Sequence, residues 1–271
     1  PSRGRRAEAT PYIIMSDLYT ATHPVPAPRG TVVLVHGLGE HSGRYGHVID
    51  ALNRASFSVV TYDQRGHGRT PGKRGAIPND TALLDDLAQI FDSVTTKNRI
   101  LLGHSMGGAV AARFVAEDRR PVDFLILSSP ALKRPLGFVD RMKLAAGSAL
   151  APDLPVSNGL DATKVSHDPK VVDAYLKDPL NHDRITPRLA RFILASGVLV
   201  RARARDWRVP TLLMWAGDDH LVDPRGSREL AWNAPEGVIT AKEFPGLYHE
   251  IFNENDPDVF DTMLSWLERV Q

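Results

Sequence analysis

Six short runs of apolar residues recur along the chain, and glycine, proline or aspartate bounds each of them. The runs are apolar throughout rather than alternating with polar residues: TVVLVHG (31–37), FSVVTYD (57–63), RILLGHS (99–105), DFLILSSP (123–130), TLLMWAGDD (211–219) and GVITAKEFPG (237–246). Continuous apolar runs of this length are typical of strands that are covered on both faces. We therefore predict the strands of a buried, parallel sheet.

Segments with helical spacing lie between these runs. Residues 80–97 repeat leucine, isoleucine and phenylalanine at intervals of three and four, and residues 105–118 and 257–270 are similar. This spacing predicts amphipathic helices. Strands that alternate with helices indicate an α/β fold, in which helices cover both faces of a parallel sheet.

Residues 131–208 interrupt this alternation. No strand-like run is convincing there, whereas residues 136–155 and 185–200 have the pattern of amphipathic helices. We predict that 131–208 form a helical cap inserted over the carboxyl edge of the sheet, where open α/β sheets bind ligands. The core would then comprise residues 11–130 and 209–271, and residues 1–10 are expected to be disordered or only partly ordered.

Composition narrows the range of functions. The 271 residues carry a formal net charge of +1 and include no cysteine. The balanced charge argues against nucleic acid as a partner, and the lack of thiols excludes disulfides and thiolate chemistry. No apolar stretch is long enough to span a bilayer, and the N-terminal residues lack the apolar core of a signal peptide. We expect a cytoplasmic protein; peripheral membrane association and secretion stay open as alternatives.

The sequence GHSMG (103–107) fits the G-x-S-x-G nucleophile elbow, a tight turn that exposes a serine hydroxyl between a strand and a helix. The apolar run before Ser105 supplies the strand, and AVAARFVAE after it supplies the helix. Glycines flank the serine because the neighbouring backbone leaves no room for a Cβ atom. We predict that Ser105 is a catalytic nucleophile.

A serine hydroxyl needs a base, and the base needs an acid that orients it. Proteins with this elbow carry these groups in the order serine, acid, histidine. Only His220 and His249 follow a plausible acid at a strand end beyond Ser105, so these two are the candidates for the base. We assign the base to His249, which lies in the loop after the last predicted strand. For the acid we favour Asp219, three residues before a valine; Asp218 is the alternative, and Asp223 is interpreted as a turn residue.

Two backbone amides are expected to form the oxyanion hole. One is the N–H of Met106, which follows the nucleophile. The other is the N–H of Leu38, in the loop after the first apolar run. No cluster of residues has the spacing of a metal site, and the reaction needs no cofactor.

Five segments are distinctive: HGLGEHSGRY (36–45), YDQRGHGRT (62–70), GHSMGG (103–108), YLKDPLNHDRIT (175–186) and GDDHLVDP (217–224). Together they resemble the monoacylglycerol lipase and lysophospholipase-like branch of the α/β-hydrolase fold. This resemblance implies a mostly parallel sheet of eight strands, with helices on both faces and a helical cap. It also implies that Glu40 and Arg44 lie near the glycerol end of the pocket; a salt bridge that only shapes the loop is the alternative.

A monoacylglycerol lipase needs an apolar channel that leads to Ser105, because each methylene that it buries contributes about 0.8 kcal/mol. The cap supplies the candidates for this channel: Phe138, Val139, Met142, Leu144, Leu150, Leu154, Ile193, Leu194, Val198 and Leu199. Arginines between residues 184 and 208 leave open a transient contact of the cap with a membrane surface, although a solvated helix face is the simpler interpretation.

These observations predict a serine hydrolase that converts monoacylglycerols to fatty acid and glycerol through an acyl-enzyme. A lysophospholipase or a broader carboxylesterase would use the same residues. A ligand receptor on a hydrolase scaffold, with vestigial turnover, is the alternative from another functional class.

Overall fold

A computed structural model describes residues 17–134 and 138–270, with the backbone only for residues 138–141 and 143. Its main sheet has seven strands. They are β1 (Thr20–His23), β2 (Gly30–Val35), β3 (Phe57–Tyr62), β4 (Arg99–His104), β5 (Phe124–Ser128), β8 (Thr211–Ala216) and β9 (Ile239–Phe244). Their order across the sheet is β1-β3-β2-β4-β5-β8-β9.

Six of these strands run parallel, and only β1 pairs antiparallel with its neighbour. The parallel strands coincide with the six apolar runs, and every residue of β2 and β8 is buried, which confirms the predicted α/β sheet. The resemblance implied a sheet of eight strands. The main sheet of the described residues has seven, and residues 1–16 lie outside the described part. Strand β1 was not predicted, because it is a short edge strand of mixed polarity.

Helices cover both faces of the sheet. The helices outside the 131–208 segment are α1 (Gly46–Arg54), α2 (Ala82–Asp92), α3 (Ser105–Ala116), α7 (Arg225–Asn233) and α8 (Pro257–Val270). One apolar core forms where α2 and α3 pack on the sheet, with Phe91 and Phe114 in contact edge to face. A second core lies on the opposite face, where Met263 and Trp266 of α8 are buried.

The segment between β5 and β8 is mainly helical, with two additional short strands. It contains α4 (Phe138–Leu150), β6 (Val156–Ser157), α5 (Pro169–Lys177), β7 (Arg184–Ile185) and α6 (Pro187–Ala202). It is bonded to loops that follow the carboxyl ends of β2 and β3. The amide of His182 donates to the carbonyl of Gly39, and the amide of Thr186 donates to that of Gly75, at 2.9 and 2.8 Å.

Candidate active site

Ser105 lies in the turn between β4 and α3, with a backbone φ of +53°. This left-handed conformation is strained for a residue with a side chain. The turn requires glycine on either side of Ser105. A Cβ atom on Gly107 would lie 2.1 Å from the carbonyl oxygen of Val35, and one on Gly103 would lie 2.5 Å from the carbonyl oxygen of Gly107. The described geometry is therefore that of a nucleophile elbow.

The imidazole of His249 links the serine to a carboxylate. Its Nε2 atom is 2.8 Å from Oγ of Ser105, and its Nδ1 atom is 2.6 Å from Oδ2 of Asp219. An ionised carboxylate only accepts hydrogen bonds, so Nδ1 carries the proton and donates it to Asp219. In neutral His249 the Nε2 atom then accepts the hydrogen bond of the serine hydroxyl.

Backbone amides hold the Asp219 side chain in place. Its Oδ1 atom accepts hydrogen bonds from the N–H groups of Leu221 and Val222, at 2.8 and 2.9 Å. The second of these bonds gives a physical reason for the spacing between aspartate and valine in the sequence. The Asp219 side chain is only 2% exposed.

The alternatives considered for the acid and the base lie elsewhere. Asp218 is half-exposed and pairs with His220, with 3.2 Å between Oδ1 and Nε2. Asp223 accepts hydrogen bonds from the amide and the guanidinium of Arg225 at the start of α7. Among the described residues, no hydrogen bond joins Asp218, His220 or Asp223 to Ser105.

Burial and charge act in opposite directions on the two titrating groups. Burial of the His249 ring favours its neutral form, but the Asp219 carboxylate, with Glu250 and Glu40 behind it, outweighs this and raises the pKa of His249. Burial likewise works against ionisation of Asp219, and the imidazole together with the two loop amides outweighs it, so that the pKa of Asp219 is lowered.

We expect the rate to reflect this raised pKa. The neutral imidazole is the form that can take the serine proton, so kcat/KM for a soluble nitrophenyl ester should rise with pH, with a midpoint above 6.5, the ordinary value for histidine. A pH–rate profile at constant ionic strength measures this midpoint. The rate of labelling by a fluorophosphonate should share it; a midpoint below 6.5 in both profiles would contradict the coupling of His249 to Asp219.

A buried ionic network braces the loop after β2. Oε1 of Glu40 accepts hydrogen bonds from the Gly37 amide and the Tyr45 hydroxyl, both at 2.6 Å, while Oε2 pairs with Arg44. Burial opposes ionisation of Glu40, but the Arg44 guanidinium outweighs it and lowers the pKa of Glu40 to about 2. The carboxylate thereby holds the backbone immediately before Leu38.

Arg44 also joins this loop to the loop of the triad histidine. Its NH1 and NH2 atoms donate to the two carboxylate oxygens of Glu250, each at 2.7 Å. Glu250 directly follows His249, yet it is 206 positions from Arg44 along the chain. Sequence reasoning missed Glu250, and its position next to the histidine was the only available signal.

Two cavities meet at Ser105 and His249. The larger, the apolar cavity, has a volume of about 890 Å³ and extends under α4 and α6. Of the residues predicted to line the channel, it brings together Leu144, Ile193, Leu194 and Val198, and Leu38 and Met106 also line it. Val198 is 60% exposed, which places it at the mouth of this cavity.

Other predicted channel residues do not line this cavity. Met142, Leu150 and Leu154 are 58%, 86% and 56% exposed, and Leu199 is not among its lining residues. The correction has a geometric reason, because a rotation of about 160° around the helix separates Met142 from the face on which Leu144 lies. The side chains of Phe138 and Val139 lie outside the described part of the chain.

The smaller, polar cavity has a volume of about 380 Å³ and lies on the other side of Ser105. It is lined by the loop after β2, by the loop of His249 and by the part of the inserted segment that carries α5. Its polar lining residues include Glu40, Asn158, Asp161, Thr163, Tyr175, Asp178, Asn181, Asp183 and Glu250. Arg44 lies behind Glu40 and Glu250 and is not among the described lining residues.

The chain is similar to several proteins of known family. The sequence profile of the family described as "Serine aminopeptidase, S33" matches residues 26–256. The chain is 36% identical to a monoacylglycerol lipase of Mycolicibacterium smegmatis, over 94% of this chain and 92% of that protein. It is 34% identical to the phospholipase YtpA of Bacillus subtilis, over 86% and 93% of the two chains.

Solved structures agree with the fold. A crystal structure of a monoacylglycerol lipase from Paleococcus ferrophilus superposes with a TM-score of 0.88 at 34% identity, and covers 94% of this chain and 99% of its own. A soluble variant of a monoglyceride lipase from Saccharomyces cerevisiae, in complex with a substrate analogue, superposes with a TM-score of 0.86. Its identity is 22%, and the two chains are covered to 100% and 99%.

Proposed function

Because the chain belongs to the serine aminopeptidase S33 family of α/β-hydrolases, we propose that it is a serine esterase that hydrolyses monoacylglycerols to fatty acid and glycerol. The observation that carries this proposal is the meeting of an apolar and a polar cavity at one activated serine. The arrangement suits an ester between one acyl chain and a small polyol. The relatives named monoacylglycerol lipase support the same substrate class.

In the first half of the reaction, Oγ of Ser105 attacks the ester carbonyl while Nε2 of His249 takes the hydroxyl proton. Asp219 keeps the proton of the neutral ring on Nδ1 and stabilises the imidazolium that forms. His249 then passes its proton to the glycerol oxygen, and the ester C–O bond breaks. In the second half a water molecule, deprotonated by His249, attacks the acyl-enzyme. The bond between the acyl carbon and Oγ of Ser105 breaks, His249 returns the proton to Oγ, and the fatty acid leaves.

The amides of Leu38 and Met106 stabilise the negative oxygen of each tetrahedral intermediate. Both residues border the cavities beside Ser105. Met106 is at the N-terminal end of α3, where backbone N–H groups lack intrahelical partners. Glu40 holds the loop that carries Leu38, so in this proposal Glu40 and Arg44 position the oxyanion hole, and Glu40 forms part of one wall of the glycerol site while Arg44 supports it from behind.

Residues 131–208 serve in this proposal as a cap over a core of residues 11–130 and 209–271. The acyl chain occupies the apolar cavity, and Ile193, Leu194 and Val198 of α6 contact it. The acyl carbons leave water on binding, which contributes about 0.8 kcal/mol for each methylene that is fully buried.

We further propose that the cap rests transiently on a lipid surface. Several of its apolar side chains are exposed: Met142, Leu150, Leu154, Val156 and Val198. Lys133, Arg134, Arg191 and Arg201 line the apolar cavity, and of these only Arg134 has no ion pair among the described residues, so that its charge can attract anionic headgroups. Among residues 17–134 and 138–270, no helix has the length and apolar composition needed to cross a membrane.

Leu150→Asp is expected to weaken binding to vesicles that contain phosphatidylglycerol by about tenfold, because a leucine that enters the interface contributes roughly 1.5–3 kcal/mol. Vesicle sedimentation measures binding, and a soluble nitrophenyl ester reports on the catalytic site. Trp232→Ser is the matched control: Trp232 is 89% exposed but lies on α7, outside residues 131–208. Equal effects of the two variants would contradict contact through the cap.

A substrate panel tests the proposed function. It compares monoacylglycerols, lysophospholipids and nitrophenyl esters of matched chain length, with fatty acid release as the readout. We expect repeated turnover and the highest kcat/KM with monoacylglycerol. Release of a single acyl group per chain would indicate the receptor alternative, and a preference for short soluble esters would indicate a general carboxylesterase.

A further inference from the structure

The two cavities that meet at Ser105 differ in the sign of their charged residues. The described lining of the apolar cavity includes four cations, Lys133, Arg134, Arg191 and Arg201, and no carboxylate. The described lining of the polar cavity includes five carboxylates, Glu40, Asp161, Asp178, Asp183 and Glu250, and no lysine or arginine. Three of the four cations pair with carboxylates outside this lining, Lys133 and Arg201 with Glu229 and Arg191 with Asp80. The contrast between the cavities therefore lies mainly in the carboxylates that line the polar cavity.

The cation closest to the polar cavity is not available to a ligand. Arg44 lies behind the wall, where two of its nitrogens are bonded to Glu40 and Glu250 and its guanidinium lies 4.7 Å from the centre of the Tyr175 ring. Its single positive charge faces two carboxylates, which leaves this buried group with a net negative charge.

The other residues in the described lining do not make the charge of the polar cavity positive. Asp178 is bonded to Nε2 of His41, and Asp183 pairs with Arg184, with 3.1 Å between Oδ1 and Nε. Asp161 is exposed to solvent at the cavity wall, and no salt bridge of the described residues includes it. Burial lowers the pKa of His104 to about 3 and also lowers that of His182, so both rings are neutral at physiological pH.

We propose that the polar cavity selects esters of uncharged polyols and excludes monoacyl esters whose alcohol carries a phosphate group. This inference rests on the proposed function, because it assumes that the leaving alcohol occupies the polar cavity. It assigns Asp161 and Asp183 as residues that determine headgroup specificity.

Two physical effects oppose a phosphorylated headgroup. A phosphate monoester carries a charge of about −1.5 to −2 at neutral pH and would lie among carboxylates, with no lysine or arginine in the described lining of the polar cavity. Its oxygens are also mainly hydrogen-bond acceptors, as are the carboxylates around it. The amide oxygen of Asn181 adds another acceptor, which is buried and has no partner among the described residues. A glycerol hydroxyl, in contrast, can donate to any of these oxygens.

The test compares 1-acylglycerol with 1-acylglycerol 3-phosphate of the same medium-length chain, both below their critical micelle concentrations. The measured quantity is the ratio of the two kcat/KM values. The double variant Asp161→Asn with Asp183→Asn removes two charges and keeps the side-chain shapes, and we expect it to reduce the preference for the neutral ester about tenfold. Higher salt should narrow the preference of the unmodified protein, because these aspartates are exposed and salt screens exposed charges.

Asp173→Asn is the matched control. Asp173 is also an exposed cap aspartate, on α5, but it pairs with Lys177 and does not line the polar cavity. The ratio of kcat/KM for the two lipids should be the same in this variant as in the unmodified protein. If monoacylglycerol is hydrolysed but the double variant and salt leave the ratio unchanged, the specificity inference is wrong and the proposed function stands. If neither lipid is hydrolysed while nitrophenyl esters are, both proposals are wrong.

Discussion

Ser105→Ala is expected to lower kcat for monoacylglycerol by about 10⁶-fold and to abolish covalent labelling by a fluorophosphonate probe. The variant lacks the only oxygen that lies within hydrogen-bond distance of Nε2 of His249 in the described chain. The rate that remains would come from substrate binding and the oxyanion hole, as in other serine hydrolases that lack their nucleophile. Fatty acid release and the stoichiometry of labelling measure the two effects.

Ser93→Ala provides the control for this experiment. Ser93 is an exposed serine at the end of α2, and its hydroxyl donates to the carbonyl of Ile90. This variant should be labelled to the same extent as the unmodified protein. Stoichiometric labelling of the Ser105→Ala variant would mean that the nucleophile is another residue, and the proposed mechanism would then be wrong.

Asp219→Asn is expected to lower kcat by about 10⁴-fold while the fold is retained. The amide of asparagine can donate to Nδ1 of His249, which would place the ring proton on Nε2 and leave the serine hydroxyl without an acceptor. Loss of the negative charge should also lower the pKa of His249, because the Asp219 carboxylate contributes most among the groups that raise this pKa. The pH–rate profile of the residual activity should therefore move its midpoint downwards.

Asp218→Asn separates this role from a general effect of charge in the loop. Asp218 is adjacent in sequence, but it is half-exposed and pairs with His220. We expect its kcat to stay within about twofold of the unmodified protein, because exposed pairs contribute little. A large loss in this variant, with little loss in Asp219→Asn, would reassign the acid to Asp218.

The predicted α/β fold and the nucleophile turn followed from local features of the chain. Strands such as β2 and β8 are mostly apolar and are buried along their whole length, the pattern that is typical of burial on both faces. The glycines at 103 and 107 are needed because neighbouring backbone lies within 2.1 to 2.5 Å of any Cβ atom there. Constraints of this kind restrict the residue type at a single position, so they appear directly in the sequence even where the neighbouring backbone, such as the Val35 carbonyl beside Gly107, is distant along the chain.

The channel residues were predicted less well, for a physical reason. An amphipathic helix has an apolar face, but its sequence does not say which neighbouring surface that face meets. In α4 the cavity side carries Leu144, whereas Met142 and Leu150 are exposed. The sequence pattern could therefore identify the helix without identifying the residues that face the ligand.

The sequence by itself determined the apolar strands and the glycine-flanked turn, and it limited the proposed nucleophile, base and acid to a few residues. Only the tertiary structure decided that Asp219 rather than Asp218 contacts His249, and that Arg44 pairs with Glu250 across 206 positions. It also decided that the charged residues in the described lining are carboxylates in the polar cavity and lysine or arginine in the apolar cavity. Contacts between distant segments depend on how the whole chain packs, and no short-range pattern of residues records them.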